Sequence, residues 1–124
     1  MHERTPRIFL ARRIQPAELV KCVRELLEKE LGKRFLEADI ARRLGMDRRS
    51  LLRHLSSEGT TFRKISQQVL LEASQRLLQT DASVSDVAEA LGFSELAAFT
   101  HAFRRWLGET PSSWKLRHAR PKAE

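Results

Sequence analysis

Residues 83–114, S-V-S-D-V-A-E-A-L-G-F-S-E-L-A-A-F-T-H-A-F-R-R-W-L-G-E-T-P-S-S-W, decide how the rest of the chain is read. Val84, Val87, Ala88 and Leu91 fall at i, i+3, i+4 and i+7, one face of a short helix. Gly92 ends that helix cheaply in the left-handed conformation, and Ser94 is the expected N-cap of the next. In this second helix Phe99, Ala102, Phe103 and Trp106 share one face. Gly108 closes it, and Thr110-Pro111 opens a third helix with a cap followed by proline at the first position. A short helix, a tight turn and a longer helix with one polar face make a helix-turn-helix.

The same pattern occurs earlier in the chain. Asp39-Ile40-Ala41-x-x-Leu44-Gly45-Met46 matches Asp86-Val87-Ala88-x-x-Leu91-Gly92-Phe93 at a constant offset of 47. Beyond the turn the second copy is one residue longer, so Leu51 and Leu55 align with Phe99 and Phe103 at an offset of 48. Gly59 and Gly108 close the two copies. Between them, Phe62, Ile65, Val69, Leu70, Ala73, Leu77 and Leu78 line one broad face of a helix from about Thr61, its expected N-cap, to Gln79. Ahead of the first copy, Leu19, Cys22, Val23, Leu26, Leu27 and Leu31 form the stripe of a helix that starts at Pro16 and ends at Gly32.

This gives an all-α chain of two helix-turn-helix, homeodomain-like lobes joined by a long linker helix. The expected boundaries are a basic arm or linker remnant at 1–15, a two-lobe domain at 16–117 and a basic tail at 118–124. Within the domain, residues 16–60 form the first lobe, 61–80 the linker helix and 81–117 the second lobe. Each lobe alone is near the lower limit for independent stability, which gives a shared helix a physical purpose. That helix, roughly 27 Å long at 1.5 Å per residue, would also hold the two second helices at a spacing suited to major grooves ~34 Å apart.

Composition narrows the function. The 124 residues carry a net charge of +7, which favours a polyanionic partner such as nucleic acid. Residues 1–59 hold 14 Lys/Arg against 9 Asp/Glu, and residues 60–124 hold 9 against 7, so the charge is concentrated in the first half. No apolar run approaches the ~20 residues of a membrane span, and Ile8-Phe9-Leu10-Ala11 is too short for a signal-peptide core. No membrane partner is expected, and the cytoplasm is the default location. Cys22 is the single cysteine and lies on an apolar stripe, where it reads as a small core residue. His2, His54, His101 and His118 are dispersed, and no phosphate loop or catalytic constellation is present. No metal, cofactor or enzymatic activity is expected.

The polar faces of the two second helices carry the chemistry. In the first copy Arg49, Arg53 and Ser56 point away from the Leu51/Leu55 core, flanked by Arg48 and Leu52. An arginine fork pairs with guanine O6 and N7 and discriminates by about 1–3 kcal/mol. In the second copy the outward face is Ala97, Thr100, His101 and Arg104, bordered by Leu96 and Arg105. Leu96 and Ala97 suit thymine methyl groups, and Thr100 or His101 a base edge. Ser56, Arg104, Arg105 and Lys115 are the expected phosphate contacts. The competing readings are solvated arginines on the first helix and, on the second, a lobe that positions without reading sequence.

These residues resemble the DNA-binding domain of the AraC/XylS family of bacterial transcription regulators. The family signature is matched by Val84…Val87-Ala88…Gly92-Phe93-Ser94-Glu95…Phe99…Phe103-Arg104-Arg105…Gly108-Glu109-Thr110-Pro111…Trp114-Lys115, and the resemblance covers roughly residues 18–117. The A-F-x-x-A-F-R-R-W-x-G detail is most like the arabinose-binding-type subgroup. The resemblance implies a monomeric module that places two recognition helices in adjacent major grooves of double-stranded DNA, and activation by contact with RNA polymerase. By position it implies base reading by Arg49, Leu52 and Arg53, and by Leu96, Ala97 and His101. The chain departs from the family at His101, where arginine or lysine is frequent, at Trp114-Lys115, where Tyr-Arg is usual, and at Leu70 and Ser74. The family usually carries a regulatory domain ahead of this module, so the chain reads as the C-terminal piece of a longer regulator. A protein-interaction module that has lost DNA readout is the alternative, and the cationic Arg48, Arg49 and Arg53 speak against it. Relatives that accept methyl groups on zinc-bound cysteine need a cysteine cluster that Cys22 alone does not supply.

Overall fold

A computed structural model describes residues 15–33 and 36–118, and in these residues every regular element is a helix. The order is α1 (Pro16–Lys29), α2 (Glu37–Arg43), α3 (Arg48–Ser57), α4 (Phe62–Leu78), α5 (Val84–Ala90), α6 (Leu96–Leu107) and α7 (Pro111–His118). Two compact units divide them: residues 15–29 and 36–66 form one, residues 30–33 and 67–118 the other. The linker helix α4 therefore gives its first turns to one unit and the remainder to the other.

In the first unit, Leu19, Val23, Ile40, Ala41, Leu44, Leu51, Leu55, Phe62 and Ile65 are buried, an almost purely aliphatic core. Thr61 caps α4 as expected, its Oγ1 accepting the Lys64 N–H at 3.1 Å. In the second unit, Ala73, Leu78, Val87, Ala88, Leu91, Phe99, Phe103 and Trp114 form one buried cluster. Here the rings touch in series. Phe93 and Phe99 have centroids 5.3 Å apart, Phe99 and Phe103 5.8 Å, and Phe103 and Trp114 6.2 Å, the last two pairs edge-on. Edge-to-face geometry places the positive ring edge against the negative face.

Three expectations need correction. The first helix ends at Lys29, and residues 30–33 group with the second unit, where Leu31 packs against its core. Gly32 belongs to that unit because it abuts Gly92. A Cβ on Gly32 would stand 2.8 Å from the Ala90 carbonyl oxygen, and one on Gly92 would stand 2.9 Å from that of Gly32. Both have φ of +90°, so conformation and space each demand glycine. The second correction is the N-cap of α6, which is Glu95 and not Ser94, and which makes no side-chain capping bond. The third concerns the start of the tail. His118, its expected first residue, is the last of α7, and its ring stacks on Trp114 at 4.0 Å and 15°. Arg117 pairs with Glu109, which also accepts a 3.0 Å bond from Ser113 Oγ. Those contacts, with arginine foremost, hold the Glu109 carboxyl below its usual range. The arm at 1–14 and the tail at 119–124 lie outside the described residues.

Candidate nucleic-acid interface

The two helix-turn-helix copies share a backbone frame. In the first turn Leu44 N–H donates to Ile40, Gly45 to Arg42 and Met46 to Ala41, each at 3.0 Å. In the second, Leu91 donates to Val87, Gly92 to Glu89 and Phe93 to Ala88, again at 3.0 Å. Every partner is shifted by 47 residues, and Gly45 and Gly92 take positive φ of 76° and 90°. The repeat seen in the letters is therefore a repeat of hydrogen bonds. It terminates α2 and α5 alike and sends the chain into α3 and α6.

Helix α3 opens on Asp47, whose Oδ1 accepts the Ser50 N–H at 2.7 Å. The Ser50 bond, with smaller help from Arg53 and Arg49, keeps this carboxyl below its usual range. Leu51 and Leu55 are fully buried and fix the rotation of the helix. Arg49, Arg53 and Ser56 are exposed and Leu52 is half-buried, which is the outward face expected from the 100° spacing. Among the described residues, neither Arg49 nor Arg53 forms an ion pair. Arg48 differs, because its Nε donates to Glu37 Oε1 at 2.7 Å. Nothing in the local sequence signals that bond, since the partners are separated by a turn and eleven positions.

Helix α6 is fixed by Phe99, Ala102 and Phe103, all buried. Leu96, Ala97, His101, Arg104 and Arg105 are exposed, Thr100 is half-buried, and Leu96 leaves 45% of its surface to solvent. The expected second face is therefore assembled, with Arg104 and Arg105 toward the C-terminal end of the helix.

Lys115, expected as a phosphate contact, is engaged by two backbone carbonyls of its own unit. Its ammonium donates to the carbonyl oxygens of Leu78 at 2.8 Å and Thr80 at 2.7 Å. Carbonyls at a helix C-terminus lack intrahelical donors, and Lys115 supplies them from 35 and 37 residues away. Cys22 departs from expectation. It is half-buried rather than core, and it lines an open groove of the first unit with Glu25, Leu26 and Leu44. Burial, then Glu25 and Glu18, raise its thiol pKa, which disfavours the nucleophilic thiolate. Among the described residues, no helix is long and apolar enough to cross a membrane.

Comparison with known proteins agrees with this geometry. A family model for a helix-turn-helix domain matches residues 40–117. The transcriptional activator NphR of Rhodococcus sp is 42% identical over 84 residues, covering 67% of this chain and 25% of that protein. The virulence regulon transcriptional activator VirF of Shigella flexneri is 29% identical over 97 residues, covering 77% of this chain and 37% of that protein. The chain thus spans a minor part of the length of these curated relatives. Among solved structures, the DNA-binding domain of the global transcriptional factor AdpA in complex with a target DNA superposes with a TM-score of 0.69. It is 30% identical, and the match covers 83% of this chain and 91% of that one. An AraC-type regulator structure from Chromobacterium violaceum gives a TM-score of 0.76 at 27% identity, covering 86% and 96%. With two turns bonded alike, two outward helices and this set of matches, the chain belongs to the AraC-type family of helix-turn-helix DNA-binding transcription regulators.

Proposed function

We propose that the chain is a sequence-specific double-stranded-DNA-binding module of an activator, with α3 and α6 as its two recognition helices in adjacent major grooves. The observation that carries this reading is the outward face of α3. Arg49 and Arg53 stand exposed and, among the described residues, without ion pairs on a helix whose rotation two buried leucines fix. Their forks are left for guanine edges, the commonest specific contact in the major groove. The target DNA bound by AdpA supports duplex DNA as the partner. The names of NphR and VirF support activation, for which contact with RNA polymerase is the route that the family resemblance implies.

In this reading Arg48, Arg49, Leu52 and Arg53 read bases from the first helix, and Leu96, Ala97, Thr100 and His101 from the second. Ser56, Arg104, Arg105 and Lys115 hold phosphates, Lys115 through the one ammonium hydrogen that its two carbonyl bonds leave. The module binds as a monomer in the cytoplasm, and no cofactor enters the reading. Salt is a first check on it. With about 6–10 phosphates engaged, affinity falls roughly 10³–10⁵-fold between 50 and 200 mM salt.

The decisive experiment is selection of bound sites from a random duplex pool by the 124-residue chain. Two half-motifs about one helical turn apart are the expected result. A pool that comes through repeated rounds without enrichment would sink the reading.

A further inference from the structure

From the Glu37–Arg48 pair we infer that Glu37 is a specificity-determining positioning residue, one that aims Arg48 at a guanine edge. The inference rests on the reading of α3 as a recognition helix. Glu37 is the first residue of α2 and Arg48 the first of α3, so the pair ties together the starts of the two helices. An exposed ion pair adds little to stability, and these side chains are 31% and 60% exposed. Its position gives it another use, because the N-terminal residues of a recognition helix are the ones that meet base edges.

The chemistry of the contact supports this. Glu37 takes the Nε hydrogen of Arg48, through a single oxygen at 2.7 Å. The two terminal nitrogens of the guanidinium remain, and together they can donate to guanine O6 and N7. Both residues also line one open groove with Leu36, Ala38 and Phe62. An arginine so held has lost part of its rotamer freedom before DNA arrives, whereas Arg49 and Arg53 lose theirs on binding. The carboxylate acts in the opposite sense on a phosphate. Placed beside Arg48, it repels the DNA backbone and disfavours register-free binding.

The test uses the 124-residue chain with three kinds of duplex: the selected site, that site changed one base pair at a time, and random sequence. For Glu37→Ala, affinity for the selected site falls roughly 5- to 150-fold, the size of one lost bidentate contact. Affinity for random duplex holds or rises, and base preference flattens at one pair. Glu37→Gln keeps an acceptor for Nε and retains part of that preference. Arg48→Lys, which keeps the charge and loses the fork, flattens the same base pair, and adding Glu37→Ala to it costs little more. Circular dichroism matching the parent chain confirms that the variants fold. Parallel changes on selected and random duplex, or identical effects of Ala and Gln, make Glu37 only a charge and overturn the inference. A parent chain without any base preference overturns the reading of α3 and the inference together. A preference that Glu37→Ala leaves unmoved overturns the inference alone.

Discussion

The two helix-turn-helix copies share a frame and differ in what fills and covers it. Their turn hydrogen bonds correspond residue for residue, and Leu51, Leu55, Phe99 and Phe103 are each fully buried. Beneath α3 the core is aliphatic, and its outward face carries three arginines. Beneath α6 the core is a chain of touching aromatic rings, and the outward face reads Ala97, Thr100, His101 and Arg104, bordered by Leu96 and Arg105. One sequence pattern is thus compatible with two distributions of effort. The second copy has the more aromatic core, and the outward helix of the first carries three arginines to the second's two. Fold and readout sit on opposite sides of the same helices, so each can vary without disturbing the other.

If the aromatic series gives the second copy its firmness, Phe103→Ala causes the largest loss. It removes a fully buried ring that meets both Phe99 and Trp114, and stability falls by about 3–5 kcal/mol. Leu55→Ala, its aligned counterpart, costs less within about 2–5 kcal/mol, because no ring pairs worth roughly 0.5–1.5 kcal/mol each are lost with it. Urea unfolding measures both. The two tryptophans, Trp106 and Trp114, both lie in the second unit, so fluorescence follows that unit while circular dichroism follows all helices. Equal losses would mean that the rings contribute only their volume.

A second contrast concerns the glycines. Gly92→Ala places a methyl group against the Gly32 backbone at 2.9 Å and also forces an L-residue to φ of +90°. The expected cost is about 2–5 kcal/mol, the sum of left-handed strain and overpacking. Gly59 has φ of +75° and nothing within 4 Å of an added Cβ. Gly59→Ala therefore carries the backbone term alone, about 1–2 kcal/mol. Thermal unfolding of the two variants separates the terms, and a Gly92→Ala protein no worse than Gly59→Ala would show that Gly32 yields.

This glycine pair marks the limit of what the letters disclose. Both helix-turn-helix copies, the linker helix and the outward faces of α3 and α6 are legible in the sequence. They follow from local periodicity, and a repeat at offset 47 reports each position twice. Gly32 reads only as the end of α1, because its meeting with Gly92 joins residues sixty positions apart. The Lys115 bonds to the Leu78 and Thr80 carbonyls are equally hidden, since 37 and 35 positions separate the partners. The Glu37–Arg48 bond escapes for the same reason. Spacing within a helix is written in the chain, whereas pairing between helices depends on how they pack.

The difference in readout predicts unequal effects on DNA. Arg53→Ala weakens binding to the selected site by about 1–3 kcal/mol and relaxes preference at one base pair. His101→Ala, on the outward face of α6, costs less than that. Titration against selected and random duplex decides the matter. Equal losses on both duplexes would make Arg53 a phosphate contact, and a larger loss at His101 would move the main readout to the second copy.

The smallest predicted effect lies at the start of each short helix, where aligned positions differ in chemistry. Ser83 caps α5 reciprocally: its Oγ accepts the Asp86 N–H at 3.0 Å, and its own N–H donates to Asp86 Oδ2 at 3.4 Å. In the first copy Asp39 still accepts the Leu36 N–H at 3.0 Å, but Leu36 offers no oxygen in return. Its backbone is already extended, at φ −91° and ψ 163°, close to the −73° and 163° of Ser83. Leu36 is 64% exposed, so replacing it forfeits little burial. Leu36→Ser therefore completes the capping box without moving the chain and stabilises the first unit by about 0.5–1 kcal/mol. A rise in the urea midpoint at unchanged slope is the expected signature. A fall would show that the Leu36 side chain does more for the groove beside Phe62 and Arg48 than a capping hydroxyl does for α2.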